Sequence, residues 1–162
     1  MQEATHDELA GVVDLFEALT REELEQALVE LAYRQGEDVR EEAVAAAVEE
    51  ATREYYLVPL PADLVVGEVD AAEALAVGPV AFPMLPPDGE DLPHILDVPT
   101  RSVDRAAAAE TVAERLRADA DAAIDAGDAE RAAQLADVTY DLEAWGSVDL
   151  RETRERLLEL AD

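Results

Sequence analysis

The chain contains no cysteine, no lysine and no asparagine. Without cysteine there is no disulfide framework, no thiolate nucleophile and no thiolate-bound metal. Without lysine, Schiff-base chemistry and the phosphate-binding P-loop lysine are excluded, and without asparagine so are N-glycosylation and a Cys-His-Asn triad. Glycine is sparse as well: the seven glycines are isolated, none closer than eleven residues to the next, so no glycine-rich phosphate cradle can form. No apolar run approaches the roughly 18 residues of a spanning helix. The opening MQEATHDELAG has neither a basic n-region nor an apolar h-region, so nothing in it reads as an export signal. These absences argue against the common nucleotide-dependent enzymes and against membrane insertion.

What is abundant is acid. Forty Asp and Glu face twelve arginines, for a net charge of −28 over 162 residues. Charge of that density accompanies disorder when apolar content is low, but 49% of this chain is apolar and the apolar residues recur with helical spacing, so it is expected to fold. In molar salt the screening length falls to about 3 Å, and a surface covered with carboxylates ceases to repel itself strongly. The absence of lysine, the acids on every stretch and an Ala/Val-rich core together point to the cytoplasm of an extreme halophile. A nucleic-acid mimic would concentrate its charge on one face, whereas here the acids are spread along the whole chain.

Proline divides the chain. All eight prolines lie between Pro59 and Pro99, in a segment that carries no arginine. The expected organisation is mainly α: an N-terminal three-helix unit over 1–57, a Pro-rich segment over 58–99 with short extended pieces, and a C-terminal helical unit over 100–162, or all three closed into one compact domain. Thr5-x-x-Glu8 and Thr20-x-x-Glu23 read as capping boxes. They open stripes at Leu9, Val12, Val13 and Phe16, then at Leu24, Ala27, Leu28 and Leu31. A third helix is expected from about Val39 to Tyr56, with Val44, Val48, Ala51 and Tyr55 inward and Asp38 as its cap. Further helices are expected near 103–126, 128–145 and 149–161, the last opened by Asp149-x-x-Glu152. YYLVPL, DLVV and GPVAFPML read as extended, and DAAEALAV as two helical turns.

The acid-rich stretch ADADAAIDAGDAERAAQLAD, residues 118–137, invites a calcium-loop reading. It fails, because Ala123 and Ile124 stand where a third oxygen and the glycine belong. It reads instead as two helices joined at Gly127, with Asp128 capping the second. His94 lies near Asp88, Glu90 and Asp91, but one histidine with turn carboxylates falls short of three converging ligands, and no metal or other cofactor is expected. Ser102 and Ser147 sit in no nucleophile elbow, so no catalytic residue is assigned. Candidate partner-binding residues are the large side chains Tyr55, Tyr56, Phe82, Met84 and Trp145, together with His94.

Three helices followed by YYLVPLPADLVV resemble in outline a winged helix-turn-helix over residues 5–67, with 39–56 in the recognition position. That helix offers Arg40 and Arg53 against Glu41, Glu42, Glu49, Glu50 and Glu54, a poor match for phosphates or base edges. Through AFPMLPPDGEDLPHILDV (81–98) and YDLEAW (140–145), the chain also resembles, end to end, a family of small uncharacterised proteins from halophilic archaea. That resemblance implies source and compartment but no activity. The resulting expectation is a cytoplasmic, non-enzymatic protein that contacts another protein as an adaptor or accessory subunit. The alternatives are a winged-helix regulator that binds DNA and an enzyme with no recognisable motif.

Overall fold

The computed structural model describes residues 5–162, so the first four residues of the expected N-terminal unit lie outside the described part. Both expected capping boxes form. Thr5 Oγ1 accepts the Glu8 N–H at 3.1 Å while Glu8 Oε1 accepts the Thr5 N–H at 2.9 Å, opening α1 (His6–Phe16). Thr20 and Glu23 do the same for α2 (Arg21–Arg34), at 3.1 and 2.8 Å. Each box satisfies two backbone donors that a helix start otherwise leaves open.

The third helix, α3 (Glu41–Arg53), starts later and ends earlier than expected. Asp38 does not cap it: Arg40 holds the cap position with no side-chain hydrogen bond. At its far end Tyr55 takes a left-handed conformation, φ 67°, and the Tyr56 N–H reaches back to the Ala51 carbonyl at 2.9 Å, which closes the helix and turns the chain into the next strand.

That strand, β1 (Leu57–Pro61), pairs antiparallel with β3 (Glu73–Val77), Leu57 opposite Val77. Between them lie a short 3-10 turn and β2 (Val65–Val66), which pairs with β4 (Ser102–Val103). β3 corrects the helical expectation for DAAEALAV. Glu, Ala and Leu favour a helix locally, but Leu75 exchanges both backbone hydrogen bonds with Leu19, in the turn between α1 and α2, while β1 takes the other edge. Ala74, Leu75 and Ala76 are thereby buried, and long-range pairing overrides local propensity.

The GPVAFPML stretch also departs from expectation. It forms no strand: Pro79 and Pro83 supply no donor, the Gly78 N–H bonds the Tyr56 carbonyl, the Ala81 N–H turns back to Gly78, and the Phe82 and Met84 N–H groups go to Asp7 at the start of α1. Farther on, α4 (Leu92–Ile95) is a single turn. The Pro-rich segment is not a separate region. Leu57, Leu75 and Leu92 share one core with Leu9, Val13, Leu24, Leu28 and Val48, and the chain divides into units at Asp104/Arg105, not at 57 and 99.

The second unit is three helices: α5 (Arg105–Ala126), α6 (Ala129–Trp145) and α7 (Arg151–Ala161). The acid-rich stretch is the expected helical hairpin. Gly127 takes φ 66°, the Asp128 N–H bonds the Ala123 carbonyl at 2.9 Å, and Asp128 Oδ1 accepts the Arg131 N–H at 3.0 Å. The start of α7 is different from the Asp149-x-x-Glu152 box. Glu143, from α6, accepts the Leu150 N–H at 2.9 Å, and Asp149 accepts the Arg151 N–H at 3.0 Å. The cap is therefore tertiary.

Candidate partner-binding surface

The first turn of α1 places Asp7 where both of its acceptors face the segment from Gly78 to Pro87. Asp7 Oδ1 accepts the Phe82 N–H and the Asp7 carbonyl accepts the Met84 N–H, each at 2.9 Å. Gly11, one turn further along, lets the segment lie flat on the helix, since a Cβ there would run into the Met84 carbonyl. Upstream, the Gly78 N–H bonds the Tyr56 carbonyl at 2.8 Å, and downstream the Gln35 amide donates to the Pro87 carbonyl at 3.3 Å. The segment is a strap, fastened at both ends and in the middle.

Its backbone is satisfied inward while its largest side chains point out. Phe82 is 79% exposed, Met84 57% and Leu85 45%. Three large apolar side chains within four residues are unusual on a surface otherwise covered by carboxylates, and exposed apolar clusters of this kind mark contact sites. From Ala74 to Pro87 the chain carries no charged residue at all. An approaching surface meets the least repulsion there.

The six residues singled out from sequence separate into different roles. Phe82 and Met84 share the strap. Tyr55 is removed from the partner surface, because it is fully buried. Tyr56 is half-buried with its ring 4.9 Å from that of His6, whose Nε2 lies 3.6 Å from Glu50. His94 sits exposed on α4, where neighbouring Asp91 is 3.8 Å from Arg34. Among the described residues no three His, Asp or Glu side chains are placed to hold a metal ion. Trp145 closes α6 half-buried, with the Arg105 guanidinium 4.4 Å above its ring, so its exposed π-face is already taken by a cation of its own unit. Ser102 lies in β4 and Ser147 just past α6.

Sequence reasoning missed Leu85, Asp7 and Arg101. Leu85 was readable as part of the charge-free run. Asp7 is one acid among forty, and nothing local marks it as the clasp of a strap 75 residues away.

Arg101 is the most buried charge among the described residues, its side chain 1% exposed. Its Nε donates to the Glu68 carbonyl at 2.8 Å, Nη1 to the Ala18 carbonyl at 3.1 Å, and Nη1 and Nη2 to the Glu23 carboxylate at 2.6 and 3.1 Å. Gly67, at φ 119°, makes room for it, because a Cβ there would meet the Thr100 carbonyl and the Arg101 stem. Burial pushes the Glu23 carboxyl up, yet the Arg101 and Thr20 donors outweigh it and hold the group below its ordinary range. One carboxylate thus closes a capping box and neutralises a buried arginine.

No helix among the described residues is long and apolar enough to cross a membrane. No curated protein and no solved structure matches the chain. A model for a family of unknown function, DUF7109, matches residues 7–162, and the chain belongs to that family.

Proposed function

We propose that the protein is a non-enzymatic interaction module, an adaptor or accessory subunit in the cytoplasm of an extreme halophile, and that it contacts its protein partner through the strap. The observation that carries this reading is the outward projection of Phe82, Met84 and Leu85 from a backbone fixed by Asp7, Gly11 and Gln35. A pre-ordered apolar anchor loses little conformational freedom on docking, which is how a small contact gains affinity. The net charge of −28 supports the halophile setting, since only strong screening makes such a surface tolerable. A photo-crosslinking side chain in place of Phe82 should capture a single protein species in high-salt cells, and the same group in place of exposed Glu152 should not. Equal labelling from both positions would overturn the reading.

A second reading rests on topology. The order α1, the Leu19 bridge, α2, α3, β1, β3, with Leu19 and β1 on the two edges of β3, supports a winged helix-turn-helix scaffold. In that scaffold α3 would read DNA. Its two arginines are already engaged, Arg40 with Glu42 at 3.5 Å and Arg53 with Glu54 at 3.4 Å, and the stretch also carries Glu41, Glu49 and Glu50. Phosphate neutralisation is the dominant source of DNA affinity, so we favour protein contact on this scaffold. Fluorescence anisotropy with a random-sequence duplex, from about 0.1 M to 2 M KCl, separates the readings. Saturable binding whose affinity falls with salt would favour the regulator.

A further inference from the structure

Between α2 and α3 runs an open groove of about 390 Å³, lined by Glu22, Glu25, Gln26, Val29, Glu41 and Val44. Its floor is apolar. Val44 is buried against the core and Val29, 40% exposed, leaves its methyl groups uncovered on a helix face that is otherwise polar. Its rim is formed by carboxylates from two helices, Glu22 and Glu25 on α2 and Glu41 at the start of α3.

The chain has only twelve arginines, and where it spends them is informative. Acids on either side of the groove have cations: Glu23 has Arg101, Glu30 has Arg34 at 3.9 Å and Glu42 has Arg40 at 3.5 Å. Among the described residues no arginine pairs with Glu22, Glu25 or Glu41. An apolar floor under an uncompensated acidic rim matches one kind of side chain, a long aliphatic stem with a cationic tip.

We propose that this groove seats an arginine or lysine side chain of a protein partner, the stem lying on Val29 and Val44 and the cationic head among Glu22, Glu25 and Glu41. A purely apolar occupant is disfavoured, because it would strip water from three carboxylates without pairing them. A nucleic-acid phosphate is repelled by the same rim. The proposal stands apart from the strap, although it deepens the interaction reading by assigning a charged contact on the same unit. At hydrogen-bond distance the pairing survives the screening that removes longer-range attraction in concentrated salt.

The test uses the full chain, ¹⁵N-labelled, in about 2 M KCl where screening keeps it folded. The probes are acetyl-Ala-Arg-Leu-Arg-Ala-amide and its counterpart with both arginines replaced by uncharged citrulline. The arginine peptide should shift the amides of Glu22, Glu25, Val29, Glu41 and Val44, and the citrulline peptide should bind about tenfold more weakly or less. The triple variant Glu22→Gln, Glu25→Gln, Glu41→Gln, which removes repulsion and should keep its helical signal, should lose about tenfold in affinity for the arginine peptide. Phe82→Ser should bind it as the wild type does, so a failed strap leaves this result standing. Equal binding of the two peptides, shifts spread over the acidic faces of α5 to α7, absence of any shift, or full affinity in the triple variant would each overturn the proposal.

Discussion

The two units carry the same excess of acid on very different interiors. Before Arg105 the chain has 25 acids against five arginines, and its core joins leucines from α1, α2, β1, β3 and α4, brought together by pairings far apart in sequence. From Arg105 onward there are 15 acids against seven arginines, and five of the seven buried residues of α5 are alanine. Alanine takes little area out of water, but it lets helices approach closely, and Gly146 extends this by lying against the Ala109 Cβ position. The better core therefore belongs to the unit with the heavier charge. Both carry arginine pairs on their helix surfaces, such as Arg34 with Glu30 in the first and Arg156 with Asp121 in the second, so it is the interiors that differ.

The same contrast appears in their ion pairs. The two carboxylates, Glu23 and Glu143, are about equally part-buried, but the Arg101 side chain is 1% exposed whereas that of Arg154 is 13% exposed, paired with Glu143 at 2.6 Å between α6 and α7 and resting over the Tyr140 ring at 4.2 Å. The Arg154 and Leu150 donors pull the Glu143 carboxyl below its ordinary range. Removing Arg101 takes the donor from the Glu68 and Ala18 carbonyls as well as from Glu23, while removing Arg154 takes it from Glu143 and Thr139, with water closer at hand.

Dilution should break the comparison most visibly. As KCl falls from about 3 M to 0.05 M the screening length grows from under 3 Å to beyond 10 Å. Like-charged neighbours at helical spacing each cost about 0.2–0.5 kcal/mol, enough in sum to consume a marginal stability of about 5–15 kcal/mol. The first unit, with 25 acids to five arginines, should unfold at higher salt than the second. Trp145, the sole tryptophan, reports the second unit by fluorescence, and the Tyr55 and Tyr56 amides report the first by NMR. Coincident midpoints would show that charge density does not distinguish the units.

Next in size is the loss of a buried cation. Arg101→Met should destabilise the first unit by about 3–5 kcal/mol, measured by denaturant unfolding in about 3 M KCl. Arg154→Met should cost the second unit less, about 1–3 kcal/mol, since it removes a part-buried pair and a cation–π contact but orphans fewer buried acceptors. Similar losses would mean that burial at Arg101 does not govern its contribution.

Acid sharpens the contrast further. Glu23 and Glu143 have lowered folded-state pKa values, so their stabilisation is present above the unfolded value near 4.5 and lost as pH falls through the folded values. Asp141 runs the other way. Burial, then the charge of Asp137, raises its pKa, so the destabilisation from its ionisation is relieved as pH falls through that raised value. In high salt, where global repulsion is screened, acidification below about pH 4.5 should weaken the first unit more than the second, and Glu23→Gln should flatten its acid limb. In low salt the sign reverses for the whole chain, since protonating surface carboxylates removes repulsion and should restore helix.

How much of this was legible depends on how local the cause is. The two capping boxes and the Gly127–Asp128 hairpin are settled within four to six residues, and each forms as read. β3 was not legible, because EALAV is helix-forming in isolation and becomes a strand only when Leu19 and β1 flank it. The start of α7 misled for the same reason, since Glu143 from another helix caps it, while α3 starts at Glu41 with no side-chain cap at all. In the candidate site, Phe82 and Met84 were visible as aromatic and apolar residues outside any stripe. Their exposure depends on Asp7 and Gly11, which no spacing rule connects to them. Tyr55 reads both as inward on the third helix and as a partner candidate, and its full burial keeps the first reading and removes the second.

The smallest expected effect on stability bears most directly on function. Because Phe82 and Met84 project into solvent, Phe82→Ser with Met84→Ser should change unfolding free energy by no more than about 0.5 kcal/mol per site. The decisive measurement is a paired affinity purification from native lysate in about 3 M KCl, with the wild type and this double variant at equal abundance and equal melting temperature. Interaction through the strap predicts a stoichiometric partner recovered by the wild type and lost with the double variant. Retention of that partner by the variant would contradict the account.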